Sequence, residues 1–212
     1  MKIPDKIYLY RMVHWLNVEY ILRHGLCRRG HQLEDPAYIN IGMRKLIEDR
    51  HDLPIPIEGK GNLGEYIPFY FAGHSPMLYI IKNGFSGVEK RPQMDIVYIV
   101  CKYETIKNNN LPFVFTDRNA KIAVAKFYTD EKDLNRLDWN SIRAKDWGSD
   151  ETNLARRDLK QAEFLIKNHV PVSCIHVLVV KTQERKDYFE EMITNLGLQI
   201  KVHIDNSCKL YY

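Results

Sequence analysis

Glu163 is the residue whose type and setting most invite a chemical role. It stands in Lys160-Gln161-Ala162-Glu163-Phe164-Leu165-Ile166, where Ala162, Phe164 and Ile166 share one face of a predicted strand and Leu165 shares the other with Glu163. A carboxylate between apolar faces is costly to bury alone, so it either meets a cation or serves a site that accepts the cost. Periodicity leaves a second reading equally open, an edge strand with Gln161 and Glu163 facing water. Arg50 closes a predicted helix over Ile41–Arg50, a position that the helix dipole favours for any cation. His14 follows the first predicted strand and could hydrogen-bond a ligand hydroxyl or simply be satisfied internally. Asn17 reads first as a helix N-cap.

The familiar hydrolase and nucleotide signatures are missing. There is no HExxH, no GxSxG and no GxxxxGK[ST], and the histidines do not pair at metal-ligand spacing. Cys27, Cys101, Cys174 and Cys208 lie far apart, without the CxxC pairs of a zinc site, and read as reduced thiols. Gly59-Lys60-Gly61-Asn62-Leu63-Gly64 matches GxGxxG on paper. That motif works only between a strand and a helix, whose N-terminus meets the pyrophosphate. Here it follows the Pro-rich Leu53-Pro54-Ile55-Pro56 and precedes a strand, so it reads as a flexible loop.

The elements that must position these residues are strands interleaved with short helices. Ile7–Tyr10 reads as a strand, followed by a helix capped by Asn17 and stopped at Gly25. Tyr66–Phe71 is a strand, and Ser75-Pro76 starts a helix that ends near Gly84. Further strands are expected over Asp95–Cys101, Phe113–Phe115, Ala162–Ile166, Ile175–Val180 and Gln199–Ile204. Helices are expected after Thr116-Asp117 and over Gln183–Leu196. The irregular spacing, with no βαβ rhythm, predicts an α+β architecture in one domain spanning 1–212.

Composition agrees with a soluble globular chain: 212 residues, 45% hydrophobic and 27% charged. The opening Met1-Lys2-Ile3-Pro4-Asp5-Lys6 lacks the apolar region of a secretory signal and no run is long enough to span a bilayer, which predicts a cytoplasmic protein. The formal charge of +4 argues only weakly for an anionic partner. Distribution says more: Arg23, Arg28 and Arg29 cluster near the first helix, and Arg143, Lys145, Arg156, Arg157 and Lys160 in the second half, where they could face phosphates or equally be solvated surface charge. The segment from Lys121 to Arg157 adds Trp139 and Trp147, mixing stacking surfaces with cations as single-strand grooves do, although Trp139 reads more simply as a core residue.

Several ordered blocks give this chain a family resemblance. They are His14-x-x-Asn17 with Ile21-Leu22-x-x-Gly25-Leu26; Ile41-Gly42 with the helix ending in Arg50; Tyr66-Ile67-Pro68-Phe69-Tyr70-Phe71-Ala72; Ser75-Pro76-Met77-Leu78-Tyr79; Phe115-Thr116-Asp117-x-Asn119-Ala120; Phe127-Tyr128-x-Asp130 with Asp138-Trp139; and Gln161-Ala162-Glu163-Phe164-Leu165. In this order they resemble the DarT family of DNA ADP-ribosyltransferase toxins. The resemblance implies an ADP-ribosyltransferase-like fold in which two antiparallel sheets, with surrounding helices, form a cleft for NAD⁺. It implies Glu163 and Arg50 as catalytic residues, with Arg50 also helping to remove the proton of the target base. His14, Asn17, Leu26, Gly42, Tyr70 and Ser75 would join Arg50 in holding NAD⁺ as co-substrate, without a metal. The implied acceptor is a base of single-stranded DNA, most often thymine, contacted by His74, Arg118, Trp147, Arg156 and Arg157. A macrodomain antitoxin of the DarG kind is the implied partner. Transfer to RNA or protein, NAD⁺ hydrolysis, and a binding module without chemistry are the alternatives. In Ala72-Gly73-His74-Ser75, histidine stands where the family pattern leads one to expect arginine before Ser-Pro.

Overall fold

The computed structural model describes residues 3–148, 151 and 153–212, so Met1-Lys2 and part of the 121–157 segment lie outside the described residues. In chain order the strands are β1 (Tyr8–His14), β2 (Leu26–Cys27), β3 (Tyr66–Tyr70), β4 (Ile96–Lys102), β5 (Phe113–Thr116), β6 (Phe127–Tyr128), β7 (Glu163–Lys167), β8 (His169–Val170), β9 (Ile175–Val180) and β10 (Lys201–Ile204). The helices are α1 (Val18–His24), α2 (Arg44–His51), α3 (Pro76–Asn83), α4 (Tyr103–Asn108), α5 (Trp139–Arg143), α6 (Arg156–Leu159) and α7 (Gln183–Asn195).

The α+β class is as expected, but the two antiparallel sheets are met only roughly. One eight-stranded sheet has the order β10-β9-β4-β1-β3-β7-β5-β6, and β2 pairs with β8 in a small separate ladder. Every pair in the large sheet is antiparallel except β10 with β9. A parallel pair needs a crossover, which α7 supplies. The large sheet is nearly divided at its middle. β1 aligns with β4 along its whole length, yet meets β3 at one register pair, Tyr10 opposite Tyr70. Two four-stranded halves thus hinge on a single pair, with an opening beside it.

Strand alternation decides which side chains face this opening. Leu9, Val13, Phe69, Val97, Ile99, Phe164 and Ile166 point to the main core, where α1, α5 and α7 also bury residues. Tyr10, Met12, Tyr98 and Val100 point the other way, under α3 and the 205–212 tail. Tyr66, Val114 and Leu165 share that second face on the far half, covered by Ile55 and Leu63 of the preceding loop. Each such aliphatic side chain contributes about 1.5–3 kcal/mol by leaving water. The two clusters on the second face are separate, and Glu163 lies on the strands between them.

Local chemistry set most boundaries. Ser75 caps α3, its Oγ accepting from Leu78 N at 3.1 Å with Pro76 at the first helical position, and Gly84 ends the helix in the left-handed region. Two expectations fail. Asn17 makes no side-chain cap bond to α1, because its amide is spent on Ile39: Nδ2 donates to Ile39 O at 2.8 Å and Oδ1 accepts from Ile39 N at 2.9 Å. No helix follows Asp117, since its carboxylate accepts from Lys126 N at 3.0 Å and closes the segment into a loop that leads to β6.

Candidate active site

The expected buried carboxylate is present. Glu163 is 1% exposed, because β7 is an interior strand with β3 on one side and β5 on the other. The edge-strand reading therefore fails. Its Oε2 accepts from Arg50 Nη2 at 2.7 Å, and its Oε1 accepts from Ala120 N at 3.1 Å and faces Arg50 Nη1 at 3.5 Å. Its backbone N–H donates to Thr116 Oγ at 3.2 Å. Arg50 comes from the last turn of α2, where the dipole accepts a cation, and reaches across to the sheet. Burial alone would lower the guanidinium's pKa, but the charge and hydrogen bond of Glu163 outweigh it, leaving Arg50 above its ordinary value.

Tyr70 is the register partner of Glu163 and of Tyr10, so all three side chains share a face. Burial, then the charge of Glu163, raise the Tyr70 phenol well above its usual value, and it stays a neutral donor. His14 lies on the same face at the end of β1, 4% exposed, with Nδ1 accepting from Leu16 N at 3.3 Å. That bond places the imidazole proton on Nε2. Burial, then the cations Arg91 and Arg185, lower its pKa, so it is neutral near pH 7.

The other residues expected around the cofactor are positioned by different means. Asn17, 1% exposed, clamps the 28–43 loop through Ile39. Leu26 is buried in β2 opposite Val170. Gly42 sits in a tight turn before α2, its N–H donating to Asn40 Oδ1 at 2.9 Å, and a Cβ there would come within 3.2 Å of Ile47 Cδ1. Ser75 is spent as the α3 cap, and its hydroxyl lies 3.8 Å from Met12 Sδ.

The residues expected to meet nucleic acid fall into two places. Arg118 lies in the loop that carries Ala120 to Glu163, with its guanidinium on Asp117 at 3.2 Å. His74, Trp147 and Arg157 converge elsewhere. His74 adopts a left-handed backbone (φ 51°), and its Nε2 lies 2.7 Å from Cys208 O. Its ring is 4.6 Å from that of Tyr212, whose hydroxyl accepts from Trp147 Nε1 at 2.6 Å, while Arg157 lies 5.9 Å over Trp147. Arg156 bonds Gly148 O at 3.3 Å beside them. Trp139 is a core residue at 4% exposure, as expected. Tyr79, Tyr212 and the buried Lys160 were not singled out as site residues. Tyr79 carries a signal that was available, an exposed face on the helix directly after Ser75-Pro76.

All four cysteines are free thiols, and no group of three or more potential metal ligands occurs among the described residues. Nor is any described helix long and apolar enough to cross a membrane. The centre that remains is a buried carboxylate held by a cation and a backbone N–H, with a neutral phenol and a neutral imidazole donor on the same face. Such a set can stabilise positive charge developing on a bound ligand.

Comparison with known proteins identifies the family of the chain. The family model described as ssDNA thymidine ADP-ribosyltransferase, DarT, matches residues 10–212. A DNA ADP-ribosyl transferase of Escherichia coli O127:H6 is 34% identical over 200 residues, covering 94% of this chain and 92% of that one. DarT of Thermus sp. 2.9 in complex with ADP-ribosylated ssDNA superposes with a TM-score of 0.89 at 30% identity, covering 100% of this chain and 99% of that one. The same Thermus protein in complex with NAD⁺ gives a TM-score of 0.83 at 29% identity, covering 100% of both chains. The matching model spans nearly the whole chain, and this protein belongs to the DarT family of single-stranded DNA thymidine ADP-ribosyltransferases.

Proposed function

We propose that Glu163 and Arg50 are the catalytic pair for NAD⁺-dependent transfer of ADP-ribose onto a thymine base of single-stranded DNA. The observation that carries this reading is the 2.7 Å contact between a fully buried carboxylate and an arginine, in a sheet face lined by Tyr70 and His14. The donor set fits NAD⁺: the protonated Nε2 of His14 suits a ribose or amide oxygen, and the ring of Tyr70 suits a nicotinamide face. Bound NAD⁺ supplies the ribosyl group, whose bond to nicotinamide breaks with positive charge building on the sugar.

Glu163 accepts a hydrogen bond from the ribose 2′-hydroxyl and opposes that growing charge, an interaction stronger in the transition state than before it. Ala120 N–H and Arg50 hold the carboxylate in one orientation, so little reorganisation is needed at the moment of reaction. Arg50 keeps its own proton, because its pKa is raised. As the base nitrogen bonds the ribose carbon and neutral nicotinamide leaves, the nitrogen's proton passes to solvent water, and Arg50 acts as a cation that stabilises the deprotonated ring. His14, Asn17, Leu26, Gly42, Tyr70 and Ser75 shape the NAD⁺ side, several of them by holding backbone in place. Arg118, His74, Trp147, Arg156 and Arg157 meet the strand.

The reading places this activity in one domain over 1–212, acting in the cytoplasm as the toxin of a toxin–antitoxin pair whose antitoxin carries a macrodomain; family resemblance supports it. The deciding experiment incubates the protein with NAD⁺ and, separately, single-stranded DNA, the same sequence as duplex, RNA, and protein, and locates added ADP-ribose by mass spectrometry. Modification of thymine in the single strand is expected. The duplex should react poorly, since flipping a paired base costs a few kcal/mol. Label confined to RNA or protein, or NAD⁺ loss into water alone, would overturn it.

A further inference from the structure

The opening beside the Tyr10–Tyr70 hinge holds a cavity of about 220 Å³ that the catalytic centre does not use. Its walls include Lys6, Arg143, Lys145, Lys160 and Lys209, and no aspartate or glutamate. A second hollow continues from it across Lys6 and Arg143, with Asp5 as its one carboxylate. Among the described residues no ion pair is seen for Arg143, Lys145, Lys160 or Lys209. Lys160 is the unusual member. It is 4% exposed, and its ammonium donates to Ile142 O at 2.8 Å. An ammonium has three protons to donate, and burying it against one carbonyl is expensive. Burial pushes it down to about 8, a cost that an anion in the cavity would reverse.

Position gives the cavity its meaning. Tyr10 lines it, and Tyr10 is two strand spacings, about 10 Å, from Glu163. His14 lies four residues further along β1, roughly 13 Å along the strand from Tyr10. The cations therefore gather at the start of β1, the end of the strand away from the imidazole.

His74 also lines the cavity, and from it an aromatic ledge runs outward. The His74 and Tyr212 rings are 4.6 Å apart, Tyr212 and Tyr79 are 5.7 Å apart, and Tyr79 reaches Trp147 at 5.7 Å and Phe85 at 5.9 Å. Tyr79 is 39% and Phe85 51% exposed, with Lys82 lying 5.7 Å over Tyr212. Exposed rings bordered by cations, joined to a cationic cavity, match a chain that alternates flat bases with phosphates. A duplex offers no such free faces.

We propose that this surface is a second nucleotide subsite of the acceptor strand: a backbone phosphate seated among Lys160, Arg143 and Lys209, and a base flanking the modified thymine stacked on Tyr79. The inference rests on the single-stranded DNA reading of the active site. It assigns the subsite to affinity and strand placement, apart from bond breaking at Glu163.

The test measures binding of a fluorescein-labelled single-stranded oligonucleotide by anisotropy across a salt series, with melting temperature and NAD⁺ affinity as fold controls. Tyr79→Ala should weaken binding roughly five- to tenfold while leaving the salt slope in place. Lys160→Met should weaken it and reduce the log-log salt slope by about 0.7, and Lys160→Arg should restore much of both. Should Lys160→Met fail to fold, the exposed pair Arg143→Ala and Lys209→Ala is expected to weaken binding and reduce the slope by about 0.7, the share of that one phosphate. An abasic site at the stacked position should weaken wild-type binding by as much as Tyr79→Ala does, and should add nothing to that variant. Unchanged affinity in these variants, or an abasic effect fully additive with Tyr79→Ala, overturns the subsite even if thymine is modified normally. Wild-type protein that binds the strand but modifies no thymine overturns the functional reading instead, and the affinities still judge the subsite. Wild-type protein that binds no single-stranded DNA overturns both.

Discussion

Arg50 and Glu163 lie 113 residues apart in sequence and 2.7 Å apart in space, with Ala120 N–H on the same carboxylate. The pair joins a helix end to the middle of the sheet, and it ties the chemistry proposed for it to the stability of the fold. Removing one partner leaves the other buried and uncompensated.

Two substitutions at Glu163 separate these roles. Glu163→Gln keeps the volume and an oxygen for Ala120 N–H but loses the charge, and should lower turnover by on the order of 10² to 10³ with NAD⁺ affinity nearly intact. Glu163→Ala should lose turnover as well, and also up to about 3–5 kcal/mol of stability, because Arg50 is left unpaired. Turnover, NAD⁺ binding and denaturant unfolding on both variants provide the check. Retained turnover in Glu163→Gln would remove Glu163 from the chemistry.

Asn17 is expected to act through Ile39. Asn17→Ala strands the Ile39 N–H and C=O and should cost roughly 1–3 kcal/mol of stability. Loosening the 28–43 loop should raise the KM for NAD⁺ more than it lowers kcat. Calorimetric melting and steady-state kinetics read both quantities, and a kcat loss with unchanged KM would contradict a positioning role.

Binding to single-stranded DNA should weaken steeply with salt, by about 0.7 in log-log slope for each phosphate neutralised. Arg156→Ala with Arg157→Ala should weaken binding to all sequences and leave the modified base unchanged, as for contacts that position a strand without reading it. Filter binding across a salt series and mass spectrometry of the product test this. A flat salt response removes the strand-binding assignment, and a changed target base would make these arginines reading residues.

Lys160 should make stability depend on pH in the alkaline range. Its folded pKa is about 8 against an ordinary 10.5, so between these values the unfolded chain binds more protons and stability rises with pH. The penalty, roughly 3 kcal/mol, is fully present below pH 8 and gone above pH 10.5. Lys160→Met lacks it, so the stability of the variant relative to wild type should fall by about that amount from pH 7 to pH 11. Urea unfolding at several pH values measures the difference, and a constant difference would show that Lys160 holds its proton equally in the folded and unfolded chain, with no burial penalty.

Local rules made much of the fold legible. The α3 start at Ser75-Pro76, the stop at Gly84 and the strand over Ile175–Val180 are set by caps and periodicity within a few residues of themselves. Alternation around Glu163 put it opposite Phe164 and Ile166, and the observed faces agree. The helix expected after Asp117 failed because a carboxylate that caps a helix can equally bond Lys126 N nine residues on. Short elements such as β2, β8, α5 and α6 left little periodic signal to read.

By itself the sequence determined the α+β class, the setting of Glu163 among apolar neighbours, a cation at the end of a helix and, through the order of its blocks, a family resemblance. Only the tertiary structure decided that β7 is an interior strand, that Arg50 and Ala120 meet Glu163, and that the sheet hinges on Tyr10 and Tyr70 beside a cationic cavity. The physical reason is range: capping and periodicity act over a few residues, whereas strand order and a contact spanning 113 residues depend on how distant segments pack.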